Sequence, residues 1–158
     1  MINTSENQGN SDLVIRPVCA ADRAQWESLW RKYLAFYETE LPPEVYDSTF
    51  SRIISGRKNE FSGQLAILDG RAVGLVHYLF HRHGWSIADT CYLQDLYAEP
   101  AVRGTGIGRA LIKAVYAAAD HHGAASTYWM TQDFNTTARV LYDRIGQLTP
   151  FIKYNRRK

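Results

Sequence analysis

Glycines alternate with other residues in the run Val102-Arg103-Gly104-Thr105-Gly106-Ile107-Gly108-Arg109. This run constrains the fold more than any other part of the chain. It follows a strand-like stretch, Thr90 to Ala98, and opens a helix-like stretch, Ile107 to Asp120. Glycines in such a turn let the backbone approach a ligand closely and gather several N–H groups into one concavity. The helix that follows aims its positive dipole end at the same point. Arg103 and Arg109 add full charges. A phosphate or pyrophosphate suits this turn. A P-loop needs Gly-x-x-x-x-Gly-Lys-Ser/Thr, which the chain lacks. A dinucleotide turn opens the first strand–helix unit and has an acid about 20 residues on. Here that position falls close to Gly123.

The rest of the chain alternates recognisable elements. Leu13 to Val18 reads as a strand. Ala21 to Glu40 carries Trp26, Leu29, Trp30, Tyr33 and Tyr37 at helical spacing. Pro42-Pro43 stops that helix and Pro43 starts another, which Gly56 ends. Gln64 to Leu68 and Arg71 to His81 form a hairpin about Asp69-Gly70. Ser126 to Asp133 reads as a strand, Thr136 to Ile145 as a short helix, and Pro150 to Asn155 as a last strand. The order is β-α-α-β-β-β-α-β-α-β. Short turns make the early strands antiparallel. A helical crossover makes the strands flanking the glycine helix parallel. The expected fold is therefore α/β, with a mixed, mostly antiparallel sheet and helices on both faces.

The chain has 158 residues and a net charge of +2. That charge argues against a large nucleic-acid footprint. No apolar run reaches the length of a membrane span. Cys19 and Cys91 lie far apart without a CxxC pattern, which fits a reducing compartment and a cytoplasmic protein. Residues 1 to 12 are polar and are expected to be a disordered lead-in to one domain over 13 to 158. His81 and His83 lie two apart at a strand end, and His121-His122 close a helix. None has an acidic or Cys partner at ligand spacing, so no metal is expected.

The glycine run resembles the acyl-CoA loop of the GNAT superfamily of N-acetyltransferases. That loop reads Arg/Gln-x-x-Gly-x-Gly/Ala, with Arg103, Gly106 and Gly108 in its three places. The order of elements is similar over nearly the whole chain after residue 12. The resemblance implies acetyl-CoA as co-substrate. Its pyrophosphate would meet Arg103, Gly104, Thr105, Gly106, Ile107, Gly108 and Arg109. Its pantetheine arm would lie between two splayed parallel strands, along Leu96, Tyr97 and Ala98, in the manner of an added strand. Asn135-Thr136-Thr137-Ala138-Arg139-Val140-Leu141-Tyr142-Asp143-Arg144-Ile145-Gly146 resembles the family's Asn-x-x-Ala-x-x-Phe/Leu-Tyr-x-x-x-Gly. Asn135 would touch the cofactor, and Tyr142 would give a proton to the leaving sulfur. A phenol suits that role, with an unperturbed pKa of roughly 10.

The run Tyr92-Leu93-Gln94-Asp95-Leu96-Tyr97 resembles Tyr-Leu-Glu-Asp-Leu/Phe-Tyr/Phe of the diamine (spermidine/spermine) acetyltransferase branch. The helix aromatics Trp30, Tyr33, Phe36 and Tyr37 are similar too. Gln94 replaces the branch's glutamate, and an amide can neither take a proton nor balance an ammonium. Asp95 then remains as a base acting through water, or the amine loses its proton to solvent. The expected reaction is direct attack, in a ternary complex, by a primary amine of a small molecule or a flexible peptide lysine. An aminoglycoside-type drug acetyltransferase and a non-catalytic CoA sensor are the alternatives. The family often closes with a two-stranded hairpin where this chain has one strand, so a sheet edge is left and a homodimer is expected.

Overall fold

A computed structural model describes residues 12–157. The disordered lead-in expected at the N-terminus lies outside the described residues, Asp12 apart. Strands β1 (Leu13–Pro17), β2 (Ser62–Leu68), β3 (Arg71–His81), β4 (Thr90–Ala98) and β5 (Ser126–Tyr128) form one sheet in chain order. The first three pairings are antiparallel and β4–β5 is parallel. Helices α1 (Arg23–Phe36) and α2 (Pro43–Ile54) cover one face. Helices α3 (Ile107–His122) and α4 (Thr136–Ile145) cover the other.

Local chemistry sets the boundaries. Asp69 and Gly70 both take positive φ, 49° and 80°, as a two-residue hairpin turn requires. Pro43 occupies the first turn of α2, where its missing N–H costs nothing. Before α1, Asp22 accepts two hydrogen bonds from the Arg16 guanidinium, each 2.7 Å, and one from the Cys19 N–H at 2.8 Å. The Arg16 bond holds that carboxyl far below the usual carboxylate range. This tie fixes the end of β1 against the start of α1.

Two cores flank the sheet. On the first face, Trp26, Leu29 and Trp30 of α1 and Tyr46, Phe50 and Ile53 of α2 pack on Leu65, Leu75 and Tyr97. On the second, Ile107, Leu111, Ile112 and Val115 of α3 pack on Val73, Val76, Tyr78 and Leu93. The faces are out of step along β4. Leu93 pairs with Tyr78 and Asp95 with His77, so Gln94 is an extra residue opposite neither. This β-bulge turns Asp95 and Tyr97 toward α1, whereas Cys91 and Leu93 face α3.

Three expectations are corrected. The first helix stops at Phe36, four residues short of Glu40, because Glu38 takes a positive φ of 52°. The strand expected over Ser126 to Asp133 pairs only as far as Tyr128. The strand expected over Pro150 to Asn155 does not form, since β5 ends before it can offer that segment a partner.

The sheet brings Gly74 against β4 and α3. A Cβ there would meet the Tyr97 carbonyl oxygen at 2.9 Å, Leu111 at 3.1 Å and Ile107 at 3.2 Å. Gly74→Ala is therefore expected to destabilise the fold by roughly 1–3 kcal/mol, as overpacking does. A urea midpoint equal to that of the unsubstituted protein would contradict this packing.

Candidate active site

The turn between β4 and α3 forms an open cradle. Gly104 and Gly106 take φ of 80° and 95°, a conformation that glycine adopts without strain. The Ala110 amide begins the helix by bonding to the Gly106 carbonyl at 2.9 Å, so the amides of Gly104 through Arg109 lie ahead of the helical ladder, where a helix start offers its N–H groups to a ligand. Space is open around Gly104 and Gly106, at the positive dipole end of α3. Arg103 donates from Nε to the Ala98 carbonyl at 3.1 Å and lies over the Tyr97 ring. Its guanidinium is thereby held at the end of β4. Thr105 donates to the Val102 carbonyl at 2.6 Å and tightens the turn. Arg109 is exposed on the first turn of α3. Ile107 is buried and anchors the helix to the sheet, so it contributes its amide and not its side chain.

The cradle opens onto a free strand edge. β4 and β5 pair at Thr90↔Ser126, Cys91↔Thr127 and Tyr92↔Tyr128, and then part. From Leu93 to Ala98 the β5 side of β4 is unpaired. That edge carries Leu96, Tyr97 and Ala98 and is roughly 17 Å long at about 3.3 Å per residue. An extended ligand can bond to it as a strand would.

Tyrosines line the sheet on the α1 side of the parting. Tyr92 stacks on Tyr128 at 4.9 Å. Tyr33 of α1 and Tyr37, the residue that caps its C-terminus, meet edge to face at 5.1 Å. Burial and then the nearby Asp95 charge raise the pKa of Tyr33 and Tyr37. Burial, Tyr128 and Asp95 raise that of Tyr92. Asp95 itself is 6% exposed. Its Oδ2 accepts from Trp30 Nε1 at 3.2 Å and from His77 Nδ1 at 2.9 Å, and Tyr33 lies close enough for its phenol to feel the charge. Trp26 Nε1 donates to His77 Nε2 at 2.8 Å. Indole can only donate, so Nε2 accepts and the histidine proton sits on Nδ1, facing Asp95. The carboxylate that the sequence marks as a base acting through water is thus a buried anion in a closed network. Periodicity marks Trp26 only as a helix-face residue and does not mark His77, because the contacts Trp26–His77 and His77–Asp95 form only across the folded sheet.

α4 brings the remaining marked residues. Asn135 caps it, accepting from the Ala138 amide at 3.4 Å and donating to Thr131 at 3.2 Å. Tyr142 packs against Trp129, ring to ring at 5.5 Å, and is near enough to Tyr37 for the two phenols to interact. Burial, and secondarily Tyr37, push its phenol up to about 12, so it stays protonated at neutral pH. Gly146 closes the motif. A Cβ at that position would meet the Trp129 ring at 2.6 Å, so the glycine admits the ring that supports Tyr142. Among the described residues no group of His, Cys, Asp and Glu is placed to hold a metal ion.

The fold, the cradle and the parted strands can be compared with known proteins. Residues 24–147 match the Acetyltransferase (GNAT) family. The D-amino-acid N-acetyltransferase HPA3 of Saccharomyces cerevisiae is 35% identical over 153 residues, covering 96% of this chain and 94% of that protein. The thialysine N-epsilon-acetyltransferase of Bos taurus is 35% identical over 74 residues, 47% of this chain and 43% of that one. Among solved structures, aminoglycoside acetyltransferase AAC(6')-Iy, in complex with a bisubstrate analogue, superposes with a TM-score of 0.82 at 18% identity. It covers 94% of this chain and 99% of its own. The chain therefore belongs to the acetyltransferase (GNAT) family and is an acetyl-CoA-dependent N-acetyltransferase.

Proposed function

We propose that the protein transfers the acetyl group of acetyl-CoA to the amine of a small, weakly charged acceptor such as a free amino acid, by direct attack in a ternary complex. The observation that carries this reading is the unpaired β4 edge, which runs from the anion cradle to the tyrosine-lined parting. The cofactor's pyrophosphate sits on the amides of Gly104 to Arg109, with Arg103 and Arg109 as counter-charges. Its pantetheine arm bonds to the backbone about Leu96 to Ala98, and Asn135 approaches the same arm. A backbone N–H near Leu96 stabilises the oxyanion. Tyr142 gives its proton to the leaving sulfur. Asp95 lies near Tyr33 at the acceptor end and supplies a fixed negative charge.

The acceptor's modest charge follows from β4. Gln94 is exposed at the bulge and neutral, and Asp95 already serves His77 and Trp30. A polyamine needs more anions than this to offset its desolvation. The 35% identity to a D-amino-acid N-acetyltransferase over 96% of the chain supports an amino-acid acceptor. The exposed segment after α4 supports a homodimer: Phe151 is 81% exposed and Tyr154 87%, beside Leu148 and Ile152. A second copy would cover them. Cys19 and Cys91 are both free thiols, consistent with a cytoplasmic setting.

Acetyl-CoA is expected to raise the melting temperature. At 100-fold excess over its dissociation constant a ligand adds about 2.7 kcal/mol. Gly106→Val should abolish the rise, because a β-branched residue resists a φ of 95°. A melting scan with no shift for the unsubstituted protein would contradict the cofactor assignment. Tyr142→Phe should keep that shift and lose about 100- to 10,000-fold in thiol release from acetyl-CoA across a panel of amines. Turnover within threefold of the unsubstituted protein would make Tyr142 a packing residue only. Light scattering at micromolar protein is expected to give twice the 18.0 kDa chain mass; the monomer mass would reject the dimer.

A further inference from the structure

An ammonium acceptor must lose a proton before it can attack, and the network around Asp95 leaves that proton without an obvious destination. Asp95 is buried and already bonded to His77 and Trp30. His77 is closed as well: its Nε2 takes the Trp26 N–H and its Nδ1 serves Asp95. His122 stacks on Phe80, on the α3 face, and bonds to Asp89 at 3.0 Å. One histidine on the α1 side of the parting has a different arrangement. His81, the last residue of β3, bonds through Nδ1 to the Arg82 carbonyl at 2.8 Å. A carbonyl only accepts, so Nδ1 carries the proton and the neutral ring has its lone pair on Nε2. That lone pair meets the Tyr128 hydroxyl at 3.0 Å, with the rings perpendicular.

Tyr128 occupies the place where β4 and β5 part. It is the last paired residue of β5, opposite Tyr92, and the two rings are stacked. The free edge from Ala98 back to Leu93 ends at this pair. A pantetheine arm that runs from the glycine turn and bonds along Ala98 to Leu96 directs its thioester, and the amine beyond it, toward this pair. A base oriented by a carbonyl and in contact with a hydroxyl is an arrangement that moves protons. Tyr128 is 40% exposed and His81 half-buried, so a proton taken there can leave to water.

We propose that His81, acting through the Tyr128 hydroxyl, accepts the proton that the acceptor ammonium gives up. This rests on the acetyl-transfer reading above. An amine N–H bond breaks toward Tyr128 Oη while the Tyr128 O–H proton passes to His81 Nε2. The freed nitrogen lone pair forms the C–N bond to the acetyl carbon. The C–S bond then breaks, and Tyr142 protonates the thiolate. The second amine proton, acidified by C–N bond formation, replaces the one that Tyr142 has given. The imidazolium of His81 returns its proton to water. Tyr128 ends as it began, a neutral phenol, and burial, by raising its pKa, favours passing a proton over losing one.

The test compares two nucleophiles. D-Alanine presents an ammonium at pH 7, whereas hydroxylamine is neutral there and needs no base. His81→Gln and Tyr128→Phe are each expected to lower kcat with D-alanine by about 100-fold or more, in the range of a lost acid–base role. With hydroxylamine both should stay within threefold of the unsubstituted enzyme, and both should keep the acetyl-CoA melting shift. Equal losses on both nucleophiles would show a structural role and overturn the proposal, as would undiminished turnover of D-alanine. Transfer by the unsubstituted enzyme to hydroxylamine but not D-alanine would also overturn it, leaving the acetyl-transfer reading intact. Transfer to neither would overturn both.

Discussion

The parting of β4 from β5 after the pair Tyr92↔Tyr128 is the constraint on which the site depends. A parallel pair that continued would satisfy its own backbone and leave no room for a ligand. Here a central strand keeps one edge open over Leu93 to Ala98 while β3 holds the other edge. Unpaired backbone groups beside a packed core are costly, and an extended polar ligand is what relieves that cost. α3 maintains the opening from one side, because Ile107, Leu111, Ile112 and Val115 fix its position on the sheet. α4 maintains it from the other, through Tyr142 and Leu141 against the same core. The glycine turn is therefore held at the mouth of the opening and the tyrosines at its apex.

The bulge at Gln94 adds the second constraint. Strict alternation would put Asp95 on the same face as Leu93, under α3. The extra residue sends it under α1 instead, where Trp30 and His77 receive it. A buried carboxylate is tolerable only with such a set of donors. Trp26 completes the set by fixing the histidine tautomer. The charge on Asp95 is thereby placed beneath the acceptor end of the site without being open to solvent.

Local signals were the ones legible in the sequence. Asp69-Gly70, Pro43 and the glycine turn each declare a backbone geometry within a few residues, and the structure follows them. The α4 motif likewise gave its bounds, Thr136–Ile145. Long-range features were not legible. His77 and Asp95 lie 18 residues apart, and His81 and Tyr128 lie 47 apart. Only the register of β3, β4 and β5 brings them together. The bulge is invisible to an alternation count, because Leu93 and Asp95 read as one face until Gln94 is known to be unpaired. The segment Pro150 to Asn155 has strand-forming residues, Phe151, Ile152 and Tyr154, but propensity does not make a strand without a neighbour to pair with.

Hydrogen exchange resolved by residue tests the central claim most directly, that acetyl-CoA adds to the open edge of β4 and rests on the glycine turn. Saturating acetyl-CoA is predicted to slow exchange at amides within Leu93 to Ala98 and at Gly104 to Arg109, and to leave the amides of α2 unchanged. Protection confined to other elements, with the β4 edge and the glycine turn exchanging as freely as before, would contradict it.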